Sequence, residues 1–145
     1  QMALVAAGVA NQGKVPVPSV VHEVVDSDGK LLDEHEPSVW TEAVQPGAAE
    51  AMRQAMIETV QSGTATAMAI PGFDVGGKSG TAQLGDDPPQ SHAWVIGFAG
   101  PEGEEPSVAI AVIVEADPAA GNQTGGTVAA PIARAVLEVA LRDDA

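Results

Sequence analysis

Residues 75–83 read Val-Gly-Gly-Lys-Ser-Gly-Thr-Ala-Gln, and this stretch decides how the fold of the chain is interpreted. Lys78 is the only lysine or arginine between Arg53 and Arg134, an interval that is otherwise rich in aspartate and glutamate. Glycines precede and follow it, and hydroxyl side chains stand close by. Glycine-rich backbone and a nearby cation are groups that bind anions in proteins. The stretch therefore predicts a site for an anionic ligand.

The composition indicates a single acidic domain. The chain has 145 residues, of which 45% are hydrophobic, and this is enough for an ordinary core. Six basic residues against twenty acidic ones give a net charge of −14, which opposes binding to nucleic acid or to anionic lipid. Because cysteine is absent, disulfides, thiolate zinc sites and cysteine nucleophiles are excluded. We expect small molecules or other proteins as partners, no nucleic acid, and no metal ion or other cofactor.

The hydrophobic pattern divides the chain into helices and strands. A run that is apolar on nearly every side begins at Gln1, so we expect the chain to be cut from a longer protein. A turn signal, Asp26-Ser-Asp-Gly29, predicts a hairpin within 20–32. The other predicted elements are helices at 2–10, 48–61 and 127–142, strands at 93–99 and 108–115, and a loop at 34–46. Residues 73–84 are compatible with either a strand or a phosphate-binding loop.

The same pattern predicts which side chains form the core. Met52 and Met56 lie at helical spacing and are interpreted as core residues. Trp94 and Phe98 are expected to anchor the sheet against a helix. The apolar positions that define the last helix are Val128, Ile132, Ala135, Val136 and Val139. The strand at 108–115 is apolar throughout, which is typical of a strand covered on both faces.

A nucleotide-binding loop is one interpretation of the Lys78 segment. Residues 72–79 satisfy the pattern G-x-x-x-x-G-K-[ST], whose amides and lysine hold nucleotide phosphates. Such a loop must run directly into a helix that begins at the Lys-Ser pair. Here Gly80 follows at once, and Asp74 would lie among the phosphates. The context therefore disfavours nucleotide binding.

Interpreted as a strand, the segment resembles the third motif of the transpeptidase domain of class B, high-molecular-mass penicillin-binding proteins. That motif is Lys-Thr/Ser-Gly followed by Thr, and it is matched by Lys78, Ser79, Gly80 and Thr81. The resemblance covers essentially the whole chain. Its further segments are Gln1-Met-Ala, Ser62-Gly-Thr-Ala65, 76–83, His92-Ala-Trp-Val-Ile-Gly-Phe-Ala99, and 125–132 with Arg134.

For the fold, the resemblance implies an α+β architecture, part of the fold shared by penicillin-binding proteins and serine β-lactamases. It predicts an antiparallel sheet of about three strands plus a small hairpin, packed by the C-terminal helix. The helices at Met2 and Met52 would lie on the other side of the Lys78 strand. Residues 1–145 would form the C-terminal portion of a single transpeptidase domain that lacks its upstream, nucleophile-bearing part. A missing strand would border the strand at 108–115, which leaves an edge open to self-association.

For function, the resemblance implies a serine acyl-enzyme that cross-links peptidoglycan stem peptides ending in D-alanyl-D-alanine and that binds β-lactams. Lys78 would sustain a positive potential for the substrate carboxylate and for the hydrogen-bond network of the catalytic serines. The Ser79 and Thr81 hydroxyls would bind the carboxylate, and the Thr81 amide would donate into the oxyanion hole. Gly80 would let the ligand approach as an added strand. The family acts at the extracytoplasmic face of the bacterial membrane, through an anchor that is not present in this sequence.

The nucleophile that the resemblance requires is not found in the chain. Ser27-Asp-Gly-Lys30 spells Ser-x-x-Lys, but it falls on the predicted hairpin turn, whereas catalysis needs the serine at the start of a helix. No Ser-x-Asn or Tyr-x-Asn second motif occurs. His92 is interpreted as a structural residue at a strand edge. We therefore predict that this fragment alone is inactive; a non-catalytic ligand or protein interaction module is the alternative.

Overall fold

The computed structural model describes residues 1–85, 90–117, 119, 121 and 123–143. The elements in chain order are α1 (Met2–Ala10), β1 (Lys14–Pro16), β2 (Glu23–Val25), β3 (Leu31–Glu34), β4 (Val39–Glu42), α2 (Pro46–Ser62), a 3₁₀ turn (Thr66–Met68), β5 (Phe73–Leu84), β6 (Gln90–Pro101), β7 (Val108–Val114), a π-helical turn (Gly125–Ala129) and α3 (Ala130–Asp143). The α+β class expected from the sequence is confirmed.

Strands β5, β6 and β7 form one antiparallel sheet in that order. Residues 73–84 form a strand of 12 residues, which removes the loop that nucleotide binding would need. Lys78 pairs with Ile96, and Gly80 pairs with Trp94. The strands predicted at 93–99 and 108–115 are confirmed, and β6 is longer at both ends. Asp86 and Asp87, which follow β5 in the sequence, lie outside the described residues.

The two faces of this sheet carry different helices. Side chains alternate along a strand, so Val95 and Ala99 of β6 face one side and Phe98 faces the other. On the first side these residues form a core with Leu137 of α3. On the second side Phe98 packs with Ala10 of α1 and with α2. Since α1 and α3 both contact β7 as well, the apolar character of that strand follows from coverage on both faces.

Helix α2 lies beside β5, and two glycines allow the strand to fit closely there. A Cβ at position 76 would overlap the Phe98 ring, and one at 77 would overlap the Met68 sulfur. Helix α2 contacts β5, as predicted for the helix at Met52. Helix α1 packs on β6 and β7, on the sheet face opposite α3, and its residue Met2 lies beside Lys78. The buried side of α1 is formed by small residues such as Ala6 and Ala10, so this helix can lie close to the sheet face.

Helix α3 is confirmed and packs on the sheet, through residues other than those that indicated the helix in the sequence. The buried positions are Ala130, Ala133, Leu137 and Leu141. Of the apolar residues that indicated this helix in the sequence, Ile132, Ala135, Val136 and Val139 are exposed, and Val128 is only half-buried. Both stripes are apolar and both follow helical spacing, so periodicity alone could not choose between them. In α2 the same ambiguity made Met52 a wrong core prediction, whereas Met56 is buried.

Two small antiparallel pairs precede α2. The hairpin predicted within 20–32 is confirmed as β2 and β3, and both of its strands are exposed. The loop predicted at 34–46 is wrong in part, because β4 lies within it and pairs with β1. Each of these strands is very short and has a proline in it or close to it, so neither gives a clear strand pattern.

Neither a membrane-spanning helix nor a metal-binding cluster is found among the residues described. No helix there is long and apolar enough to cross a bilayer. Across the same described ranges, no group of three or more His, Asp or Glu side chains is arranged to hold a metal ion.

Candidate active site

The four residues of the Lys-Ser-Gly-Thr motif lie near the middle of β5, at the start of its more exposed part. Lys78 and Thr81 are exposed, while Ser79 and Gly80 are half-buried. Because neighbouring side chains point to opposite faces of a strand, Lys78 lies on the α1 face and the two hydroxyl residues lie on the α3 face. The motif therefore presents a cation on one face of the strand and hydroxyls on the other.

A shallow pocket of about 210 Å³ opens on the Lys78 side of β5. Lys78, Ser79 and Gly80 line it together with Met2, Trp94 and Ile96. Trp94 thus borders this pocket and is half-buried, whereas Phe98 alone is fully buried as a sheet anchor. Lys78 is the one cation among these residues, and the wall around it is mostly apolar.

The polar groups of the motif are bonded to each other and to one neighbour. The Lys78 ammonium donates to the Ser79 carbonyl oxygen. The Ser79 Oγ lies 2.6 Å from the Thr64 Oγ1, so these two hydroxyls share one hydrogen bond. A lysine that reaches only a carbonyl of its own strand still has two N–H donors for a ligand.

The start of the π-helical turn packs against the backbone of β5 and β6 next to the motif. A Cβ at Gly125 would overlap the carbonyl oxygen of Trp94 and the backbone of Gly80. At Gly126 it would overlap the Thr64 carbonyl oxygen. Because these positions have no side chain, the turn can approach the strand backbone at Gly125 and the Thr64 carbonyl at Gly126. On the opposite face, a Cβ at Gly80 would stand 3.4 Å from the Trp94 Cβ, so this side of the strand has room.

Thr64 and Gly125 are site residues that the sequence did not assign. Both belong to segments that carried the family resemblance, 62–65 and 125–132, but no role was attached to them. The usable signal was that Ser62-Gly-Thr-Ala65 and a glycine pair stand in the family-like order around the Lys78 motif. Only the tertiary structure shows that they meet at Ser79 and Gly80.

The other candidate residues have structural positions. Ser27 lies in the hairpin turn, where the Asp26 carboxylate accepts the amides of Asp28 and Lys30 at 2.9 Å. It is therefore not at a helix start, as a nucleophile of this type would be. The Nδ1 of His92 accepts a 2.9 Å hydrogen bond from the Ala116 amide, which agrees with the structural interpretation.

Displaced pKa values occur on α2, outside the motif. The hydrogen bond from Arg53, with a second from Gln54, lowers the pKa of Glu50 to about 2. The same Glu50 contact raises the pKa of Arg53. This pair lies on an exposed helix surface, where ion pairs contribute little to stability.

The sequence was also compared with known families and proteins. The profile of the family described as "Penicillin binding protein transpeptidase domain" matches residues 1–138. A peptidoglycan D,D-transpeptidase PbpA of Mycolicibacterium smegmatis is 37% identical over 145 residues, a match that covers 99% of this chain and 29% of that protein. Stage V sporulation protein D of Bacillus subtilis is 31% identical over 144 residues, covering 97% of this chain and 22% of that protein.

Solved structures give the same result for the fold. A penicillin-binding protein A of Mycobacterium tuberculosis, solved as a ceftriaxone acyl-enzyme, matches with a TM-score of 0.82 and 37% identity over 96% of this chain. The D,D-transpeptidase domain of a peptidoglycan glycosyltransferase from Eggerthella lenta matches with a TM-score of 0.81 and 32% identity over 98% of this chain. In both cases the match spans 31% of the solved chain. The present chain thus spans less than one third of the length of each of these four proteins.

Proposed function

The chain belongs to the transpeptidase domain family of penicillin-binding proteins, and from this premise we propose that it is the C-terminal part of a class B D,D-transpeptidase domain that cross-links peptidoglycan. The observation that carries the proposal is the strand β5, on which Lys78, Ser79 and Gly80 line an open pocket and Thr81 follows directly in the same strand. A cation next to two hydroxyls on an exposed edge suits a ligand that presents a carboxylate and an extended backbone.

Lys78 and the two hydroxyls would bind the terminal carboxylate of a D-alanyl-D-alanine stem peptide, or the carboxylate of a β-lactam. Lys78 supplies the positive potential, and it is the only lysine or arginine between Arg53 and Arg134. Ser79 and Thr81 share one face of the strand, so their hydroxyls can reach the same ligand group. Charge-assisted hydrogen bonds of this kind are stronger than neutral ones.

The backbone of β5 would contribute the oxyanion hole. The Ser79 carbonyl accepts a bond from a side chain, which supports an outward orientation of that residue's backbone groups. Alternate residues of an antiparallel strand share this orientation, so the Thr81 N–H is suited to face the ligand. One such donor contributes about 3 kcal/mol to acyl transfer at comparable sites. The absence of a side chain at Gly80 leaves room for the ligand on the pocket side.

The nucleophile would come from sequence upstream of this chain. In the proposed reaction, a serine there attacks the carbonyl between the two D-alanines and the terminal D-alanine leaves. An amine from a neighbouring stem then displaces the serine and forms the cross-link. With a β-lactam the same attack opens the lactam ring, and the leaving nitrogen stays tethered, so the acyl-enzyme persists. This chain by itself would be inactive.

The proposed substrate fixes the location and the partners. Peptidoglycan is cross-linked outside the membrane, so the parent protein would act at the extracytoplasmic face, with its anchor in sequence beyond this chain. Its other partner would be the upstream part of its own domain. A non-catalytic module that keeps only a carboxylate-binding strand is the competing function.

A fluorescent penicillin tests the proposal. The 145-residue chain alone should show no covalent label, whereas the parent protein that includes the upstream sequence should be labelled, and the label should survive denaturing electrophoresis. Label on the isolated chain would disprove the claim that its nucleophile lies elsewhere. No label on the parent protein would favour the non-catalytic module.

Lys78→Ala in the parent protein should slow acylation by about 100-fold, because one charge-assisted contact to a ligand is worth about 2–3 kcal/mol. Its thermal unfolding should be unchanged, since the Lys78 side chain is exposed. Lys30→Ala, on the exposed hairpin, is the matched control and should leave the acylation rate unaffected. Loss of folding in Lys78→Ala would contradict the assignment of this lysine to the ligand.

A further inference from the structure

The hydroxyl of Thr64 meets the hydroxyl of Ser79 behind the ligand edge of β5, at 2.6 Å. Thr64 follows the C-terminal end of α2, and its backbone is fixed by Gly126, which leaves no room for a side chain against the Thr64 carbonyl. Gly125 holds the strand itself in the same way at Gly80. Three separate segments thus fix the relative position of two hydroxyls.

Each hydroxyl has a single hydrogen to donate. If Ser79 donates to Thr64, it has no hydrogen left for a ligand carboxylate. If Thr64 donates to Ser79, the Ser79 hydrogen is free for the ligand. Within the described ranges, Ser79 is the only side-chain partner of the Thr64 hydroxyl. An approaching carboxylate accepts hydrogen bonds only, so its binding selects the second arrangement.

We propose that Thr64 is a positioning residue, which donates to Ser79 and thereby directs the Ser79 hydrogen to the ligand carboxylate. This rests on the proposed function, since it needs a carboxylate ligand on β5. The chain of two hydrogen bonds strengthens the outer one, because a hydroxyl that accepts a bond is a better donor. Thr64 also keeps the Ser79 side chain in one rotamer before the ligand arrives.

The test compares two ligands in one protein. A penicillin is used as its free carboxylate and as its neutral methyl ester, and the acylation rate constant of the parent protein is measured for each. Thr64→Val keeps the side-chain shape but has no hydroxyl. It should lower the rate for the carboxylate ligand roughly threefold to tenfold, the range for one neutral hydrogen bond. The rate for the ester should stay the same.

The ratio of the two rates separates positioning from mere loop support. Partial unfolding lowers both rates equally, so the ratio within each variant is independent of how much protein remains folded. Thr64→Ser, which restores the hydroxyl, should restore the wild-type ratio. On a Ser79→Ala background, Thr64→Val should change nothing further. An unchanged ratio in Thr64→Val, or an equal further loss on the Ser79→Ala background, would overturn the positioning role.

The outcomes also distinguish this inference from the proposed function. If the wild-type protein is not acylated by either ligand, the transpeptidase proposal fails and the positioning role fails with it. If the wild-type protein is acylated and prefers the carboxylate, but Thr64→Val keeps that preference, only the role of Thr64 is wrong.

Discussion

The two outer strands of the sheet, β5 and β7, differ in almost every chemical respect although both pair with β6. Strand β5 contains three glycines, a lysine and two hydroxyl residues. Its more exposed part begins at Lys78 and borders the pocket. Strand β7 reads Val-Ala-Ile-Ala-Val-Ile-Val and has helices on both faces. In the portion of the chain that is described, β7 pairs only with β6. An edge with glycines and polar groups suits a ligand that comes and goes, whereas an apolar edge suits permanent burial.

The largest expected effect concerns β6, the strand that pairs with both β5 and β7. Phe98 is fully buried and supports β5 at Gly76 together with α1 and α2. Phe98→Ala should lower the free energy of unfolding by about 3–5 kcal/mol, because it removes a large core side chain and leaves a cavity. Urea denaturation of the parent protein would measure the loss.

A conservative change within β7 serves as the control for that experiment. Ile110 is also buried, and Ile110→Val removes one methylene, which should cost about 1 kcal/mol. If Phe98→Ala and Ile110→Val lowered the free energy of unfolding by similar amounts, Phe98 would not be a major support of β5.

The second prediction contrasts two glycines of β5. Gly76→Ala should cost about 1–3 kcal/mol of stability, because the new methyl group overlaps the Phe98 ring. Gly80→Ala should change stability by less than about 0.5 kcal/mol, since its nearest neighbour is at ordinary contact distance. It should nevertheless slow acylation, because the methyl group stands on the ligand side of the strand. Thermal unfolding and penicillin labelling separate the two effects, and equal loss of stability in both would remove the contrast.

The third prediction concerns the edge of β7. Ile113 is 44% exposed there, and Ile113→Lys should reduce self-association of the isolated chain, because lysine on a strand edge opposes pairing with another edge. Sedimentation velocity would show the change. Ile132→Lys adds the same charge at 46% exposure on α3 and is the matched control. If both variants dissociate the chain equally, general apolar contact and not edge pairing causes the association.

The smallest effect is expected on α2, the helix behind β5. The pKa of Glu50 is about 2 in the folded protein, below its ordinary 4.5, so its stabilising contribution is complete above about pH 4.5 and is lost as the pH falls towards 2. Glu50→Gln should remove this small dependence from acid unfolding curves. Glu58→Gln, on the same helix and without an ion-pair partner among the described residues, should leave the curves unaltered. A larger change for Glu58 would contradict the role of Arg53.

The contrast between the edges also shows what the sequence could predict. Strands β6 and β7 were predicted because their β-branched and aromatic runs are long. Strand β4 was missed because four residues that pair with a distant three-residue strand leave no pattern in the sequence. The buried stripe of α3 could not be identified from the sequence, because Ile132 and Val136 are as apolar as the residues that face the sheet.

The candidate site was predictable where its residues are consecutive. Lys78 to Thr81 are adjacent in the chain, and their order, together with the other segments of the family resemblance, predicted a carboxylate-binding strand. Thr64 lies 15 residues before Ser79, and its contribution depends on how a helix end meets a strand. Gly125 contributes only by the side chain that it lacks, because any Cβ there would overlap β5. Neither residue type is rare enough to be recognised without the tertiary contact.

The π-helical turn at Gly125–Ala129 also determines the rotation of α3 about its own axis. A π turn holds one more residue than an α-helical turn, and each residue rotates the remainder of the helix by about 100°. Deletion of a single residue between this turn and Leu137 would therefore swing Leu137 away from the sheet and bring Glu138 into its place. In this segment the number of residues, more than their chemistry, determines which surface of α3 is sealed and which is offered to the surroundings.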